Sequence, residues 1–220
     1  PKMIYLKDYQ APDYLIDETH LTFELYDDHS LVHAQLVMRR NPEKSGELPP
    51  LILDGQQLEL VSLSMDDREL GLGDYQVDAD HLTLYPRSPS FTLDSTVLIH
   101  PETNTALEGL YRSGKMFCTQ CEAEGFRKIT YYLDRPDVMS TFTTTVIAEQ
   151  HRYPVLLSNG NPIGRGPQED GRHWTTWEDP FKKPAYLFAL VAGDLWCIED
   201  RFTRASGRDV TLRIYVEPEN

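Results

Sequence analysis

A chain of 220 residues, 40% hydrophobic and 25% charged, has material for one large all-β domain or two small ones, with a real core. The 21 Lys and Arg against 35 Asp and Glu leave a formal net charge of -14, which argues against nucleic-acid binding because phosphate contacts need a basic patch. The same acidic field favours cationic ligands and equally serves plain solubility.

The opening residues Pro1 to Asp8 hold no apolar run of signal-peptide length, and no later stretch approaches the ~20 apolar residues of a membrane span. The expectation is a soluble, cytoplasmic protein with no membrane partner. Cys118, Cys121 and Cys197 are odd in number, which points to reduced thiols in a reducing compartment. A first residue Pro1 without Met suits a trimmed or processed chain.

In chain order, Tyr14 and Ile16, then Leu21, Phe23 and Leu25, alternate with polar neighbours. Asp27 to Ser30 makes a turn, and Val32, Ala34, Leu36 and Met38 alternate again, predicting a hairpin with one buried face. Asn41 to Pro50 is a polar loop. Short strands follow at Leu51 to Leu53, Leu58 to Met65, Tyr75 to Val77, Leu82 to Tyr85 and Phe91 to Ile99. The apolar phase slips by one between Leu60 and Val61, which reads as a bulge. Further on, Asp134-Arg135-Pro136-Asp137 has the composition to cap a short helical turn, and Phe142, Thr144, Val146 and Ala148 resume the alternation. Val155 to Leu157 runs into Asn159-Gly160, a strong hairpin-turn signal. His173 to Trp177, Tyr186 to Ala192, Leu195 to Ile198 and Val210 to Val216 complete the strands, with a turn at Ser206-Gly207. No helix of ordinary length is convincing, and no linker or repeat divides the chain. The pattern predicts a single all-β domain of sandwich-like or saddle-like sheets.

One polar run interrupts the alternation: Thr119 to Arg127, followed by Tyr131 to Asp137. Carboxylates, Arg and Gln are seldom fully buried unless paired, so the run is a solvated loop or a satisfied polar site. If Gln120 and Glu122 lie on extended chain, their side chains share a face. A carboxylate beside an amide oxygen then suits a primary ammonium, which brings three donors. Arg127 and Asp134 read as an ion pair holding this loop against the sheet, or as an exposed pair of little weight. Tyr131 and Tyr132 line either a pocket or the core.

Three other patterns invite different chemistry. Cys118 and Cys121 have the spacing of a redox pair or half a zinc site, but no βαβ pattern surrounds them and Cys197 alone remains as a further thiol. Free buried thiols are the better reading. His29 and His33 are spaced like zinc ligands on a helix, yet a turn enters a strand here, and Ser30 stands where a general-base Glu belongs. Trp174, Trp177, Tyr186 and Phe188 would suit a sugar-binding platform, although aromatics at alternating strand positions are more often core.

The run Thr119-Gln120-Cys121-Glu122-Ala123, with Arg127 and Asp134-Arg135-Pro136, resembles the Thr-Gln-x-Glu-Ala, Arg and Asp-x-Pro pattern of the zinc aminopeptidases of the gluzincin class, in their bacterial branch. Asp8 to Tyr14, Asn104 to Tyr111, Leu157 to Asn161 and Tyr186 to Asp194 agree in the same order, so the resemblance covers nearly the whole chain. It implies that residues 1–220 are the β-rich amino-terminal domain of a longer enzyme that releases amino-terminal residues from peptides. It also implies that Gln120 and Glu122 hold the substrate's free α-amino group. The His-Glu-x-x-His helix, the third Glu ligand and the Gly-x-Met-Glu-Asn loop of the class are absent from this sequence. The resemblance therefore implies zinc in a catalytic domain beyond residue 220, with no metal and no catalytic residue in this chain. Thr130-Tyr131-Tyr132-Leu133 stands where the wider class has an aromatic-proline-cysteine-tryptophan run. The alternative is a non-catalytic β-sandwich module for binding or scaffolding.

Overall fold

The computed structural model describes residues 5–218. Period-2 segments fold as expected into β1 (Tyr14–Leu25), β2 (Ser30–Arg40), β3 (Leu51–Asp54) and β4 (Glu59–Met65), the last followed by a two-residue β5 (Arg68–Glu69). Then come β6 (Tyr75–Val77), β7 (His81–Leu84), β8 (Ser90–Ile99), β9 (Gly109–Ser113), β10 (Met116–Gln120) and β11 (Met139–Glu149). The chain continues through β12 (Val155–Ser158), β13 (Asn161–Pro167), β14 (Arg172–Pro184) and β15 (Leu190–Gly193) to β16 (Trp196–Thr203) and β17 (Asp209–Val216). Among the described residues the helical segments are short 3₁₀ turns, and none is long and apolar enough to cross a membrane. The all-β expectation holds.

Eight strands form the main sheet in the order β13, β14, β11, β1, β2, β8, β4, β5. Its neighbours run antiparallel except β1 and β11, which pair in parallel. Register places Phe23, Val32, Val97 and Val146 side by side across four strands, and all four are completely buried. Each such side chain contributes about 1.5–3 kcal/mol through burial. The expected bulge in β4 appears as a register shift between Leu60 and Ser62.

Two smaller sheets cover this face. The four-stranded sheet β12, β15, β10, β9 contributes Leu156, Leu190, Ala192 and Phe117 to the core, and β3, β7, β6 contributes Leu51, Leu53, Leu82 and Leu84. Between the layers sits an aromatic cluster. Phe188 stacks on Phe23 at 5.7 Å, and Phe126 meets Tyr132, Phe142 and Phe188 edge-on at 4.7, 6.2 and 5.4 Å. Such geometry adds roughly 0.5–1.5 kcal/mol per pair to burial.

Three local expectations need correction. Asn159-Gly160 does not close a hairpin: β12 pairs with β15, whereas β13 pairs with β14 in the other sheet. Gly160 does take the left-handed conformation (φ 88°), but the turn carries the chain between sheets. The Asn159 side chain bonds Leu187 O and Ala189 N across the gap, which a hairpin reading cannot foresee. Asp134 to Asp137 does not cap a helical turn, since a turn closed from Val138 N to Arg135 O lies there; the helical turn is Phe126–Lys128. Tyr186 begins no strand either, because Ala185–Leu187 is a 3₁₀ turn that drops Phe188 into the aromatic cluster before β15 starts.

Candidate functional site

Strand β10 delivers the polar run. Its Phe117 is core, and Thr119 Oγ1 accepts the Leu190 N–H at 2.8 Å, tying β10 to the start of β15. Gln120 pairs with Gly109 and is the last strand residue, so the extended geometry that would put Gln120 and Glu122 on one face stops at Gln120. Glu122 lies in the turn beyond it. Both side chains are exposed, and the Glu122 N–H donates to Gln120 Oε1 at 3.0 Å. That bond leaves the Glu122 carboxylate facing solvent and one lone pair on the Gln120 oxygen.

The turn is tight because glycine permits it. A Cβ at Gly125 would stand 2.6 Å from the Gln120 carbonyl oxygen, an approach that a side chain forbids. Gly125 N–H closes the turn on Cys121 O at 2.9 Å, and the 3₁₀ turn Phe126–Lys128 follows at once. Cys121 and Phe126 point inward and are buried. The polar run is thus a short exposed loop with apolar anchors on both sides.

Arg127 clamps the far side. Its backbone N–H and its Nε both donate to Asp134 Oδ2, at 3.1 and 3.0 Å, and its Nη2 donates to Asp134 O at 3.2 Å. The Asp134 side chain is 2% exposed, and burial pushes its carboxyl pKa up while the Arg127 hydrogen bonds pull against that rise. Asp54 of β3 joins from another sheet: it lies 3.7 Å from Arg127 Nη1 and accepts the Asp134 N–H at 3.2 Å. Asp54 also exchanges backbone hydrogen bonds with Tyr132 at 2.8 and 3.0 Å. Glu124 adds an exposed contact to Arg127 at 3.3 Å. Sequence reading missed Asp54, which stands 80 residues from Asp134 and carries no local signal.

Tyr131 and Tyr132 both belong to the core. The Tyr132 hydroxyl meets Thr19 Oγ1 at 3.0 Å, and burial drives its pKa far up, so it stays protonated. The thiols are free, though not uniformly buried: Cys121 is buried and its pKa is pushed well up by burial, Cys118 is half-buried and Cys197 is exposed. His29 bonds Asp28, whereas His33 bonds Thr96 and Glu24. Phe188 is core and the Trp177 Nε1–H donates to Leu156 O, so these aromatics do not stand together as an open platform. Among the described residues no group of three or more His, Cys, Asp or Glu is placed to hold a metal ion. The donor set does not fit zinc.

Residues 16–187 match the Peptidase M1 N-terminal domain family. The chain is 48% identical over 218 residues to aminopeptidase N of Caulobacter vibrioides and 49% identical over 220 residues to aminopeptidase N of Escherichia coli. It covers 99% and 100% of itself in these matches but 25% of each relative, so it spans about a quarter of their length. Among solved structures, that of Legionella pneumophila aminopeptidase A in complex with aspartic acid superposes with a TM-score of 0.92 at 37% identity, over 97% of this chain and 25% of that one. With a family match across most of its length and relatives near half identity throughout, the chain belongs to the M1 peptidase amino-terminal domain family.

Proposed function

We propose that the chain is the substrate-anchoring amino-terminal domain of a zinc metallo-aminopeptidase, in which Glu122, assisted by Gln120, holds the free α-amino group of a peptide. The observation that carries this reading is an exposed carboxylate on a loop tied at one end to β10 and at the other to the Arg127–Asp134–Asp54 clamp. A carboxylate on a rigid mount fixes where an ammonium can sit, and rigidity is what the buried clamp supplies. Gln120 Oε1 holds the Glu122 backbone and keeps a lone pair for the same ammonium.

Zinc would be held by another part of the full-length protein and would supply an activated water there. The task of this domain is register: anchoring the ammonium at a fixed place lets only the first peptide bond reach that water, which separates an aminopeptidase from an endopeptidase. Its partners are peptides with a free amino terminus and the catalytic domain of the same chain, in the cytoplasm. Alone, the 220-residue chain is inactive.

Glu122→Ala in the full-length protein tests the reading. Leaving a desolvated ammonium unpaired costs about 2–5 kcal/mol, so kcat/KM on an alanine anilide should fall roughly 30-fold to several thousand-fold with an unchanged melting temperature. An unchanged kcat/KM refutes the assignment.

A further inference from the structure

The parting of β12 from β13 opens a cleft. At Asn159 and Gly160 the chain leaves the four-stranded sheet for the main sheet, and the two strands diverge, β12 on β15 and β13 on β14. Residues of both line a space of about 960 Å³, and β17 adds another wall through Arg213 and Tyr215. His173, Thr175 and Trp177 stand at alternate positions of β14, so they share the face that lines it. The Trp177 Nε1–H donates to Leu156 O at 3.1 Å, which fixes the indole across the gap between the sheets. His173 Nε2 is held by Tyr153 O at 2.8 Å. Gly160, at φ 88°, leaves no room for a side chain against Glu178 O, so the point of divergence is fixed as well.

The charge of this lining is opposite to that of the chain. Acidic residues outnumber basic ones by 35 to 21 overall, yet among the described residues no Asp or Glu lines the cleft, and Arg165 and Arg213 do. The Arg165 side chain has no hydrogen bond or ion pair among the described residues. Arg213 bonds Glu199 through Nε at 2.9 Å, and Glu199 is outside the lining. A guanidinium is a planar fork of N–H donors that matches phosphate oxygens, and one fork on β13 with another on β17 suits a group of charge about −2. Trp177 and Tyr215 offer flat apolar faces to a ring. Small-molecule sites span about 300–1,000 Å³, so a cleft of this size has room for a ring system larger than one phenyl group.

We propose that this cleft binds a nucleoside monophosphate, with the phosphate held by Arg165 and Arg213 and the base against Trp177 and Tyr215. The negative charge of the whole chain opposes a nucleic-acid backbone but not this ligand, since a single phosphate needs two local cations rather than a basic surface. The site goes beyond the aminopeptidase reading and stands without it. Its walls belong to two sheets and to the hairpin β16–β17, so the bound ligand holds the three together and stabilises the fold by linkage.

Equilibrium dialysis of the full-length protein against adenosine monophosphate (AMP) tests this, with inorganic phosphate and adenosine as comparators. AMP should bind roughly 10-fold or more tightly than either comparator, and Arg165→Ala and Arg213→Ala should each weaken it by roughly 10-fold or more. Arg165→Ala removes no internal contact, so its melting temperature without ligand should be unchanged, and its loss of AMP is then a loss of the site rather than of the fold. Glu122→Ala should leave AMP affinity as it is. No binding at millimolar AMP overturns the proposal, as does an affinity no better than that of inorganic phosphate. An AMP affinity that both Arg variants leave intact, or that Glu122→Ala abolishes, places the ligand elsewhere and overturns it too.

Discussion

Strands β2 and β16 carry the same period-2 pattern and meet opposite fates. In β2 the residues Val32, Ala34, Leu36 and Met38 are each at most 2% exposed, whereas in β16 Trp196, Ile198 and Phe202 are mostly in water. Strand propensity does not separate them, for both set apolar residues at alternate positions. The difference is the layer above. Strand β2 lies between β1 and β8 under a second layer, and β16 has β17 alone beside it. Alternation chooses which face is apolar, and only a neighbouring element removes that face from solvent.

Truncating one residue in each region gives the largest expected contrast. Phe126→Ala opens a hole among Tyr132, Phe142 and Phe188 and should destabilise the 220-residue chain by about 3–5 kcal/mol in urea denaturation. Ile198→Ala in the same chain should stay within about 0.5 kcal/mol. Equal losses would mean that the hairpin is already covered within this domain.

Ion pairs sharpen the same contrast. Asp134→Ala takes the buried partner from a largely buried Arg127, leaving it Asp54 and the exposed Glu124, and should cost up to about 3 kcal/mol. Glu199→Ala removes an exposed pair with Arg213 on the hairpin, worth about 0–1 kcal/mol. Denaturation midpoints of the two variants should therefore separate clearly, and coincident midpoints would show that the clamp is not buried in solution.

The smallest effect is in pH. Burial would raise the Glu24 carboxyl, but hydrogen bonds from Tyr26 and His33 outweigh it and lower the pKa; Asp17 behaves alike under Lys182 and Arg39. A carboxyl lowered on folding contributes stability above its unfolded pKa of about 4 and loses it as pH falls through the folded value. Asp134, raised on folding, has the opposite sign: its contribution is full below about 4 and is lost as pH rises through its folded value. Thermal melts should fall on acidification below about pH 4, and Glu24→Gln should flatten that descent.

The sequence made the strands legible wherever one face is dry, as in β1, β2, β8 and β11, because alternation records burial directly. It misled where position depends on distant chain. Asn159-Gly160 has the chemistry of a hairpin turn, but the partner of β12 is β15, some thirty residues downstream, and no local signal encodes that choice. Of the candidate site, the polar run stood out by composition, and its reading as an ammonium anchor drew on spacing and on resemblance; the extended premise of the spacing argument ends at Gln120, where the strand stops. Asp54 was invisible because its role exists only once β3 lies against the Asp134 loop.

The parallel pairing of β1 with β11 also bears on how the chain is made. Thr19 on β1 bonds Ser140 on β11, 121 residues later. At about 5–20 residues per second, a ribosome takes roughly 6–24 s to supply that partner. Strand β2 covers one edge of β1 almost at once, but the other edge waits through the synthesis of β3 to β10. During that interval the nascent protein offers an open strand beside a half-formed core, the stage at which a chaperone has most to protect.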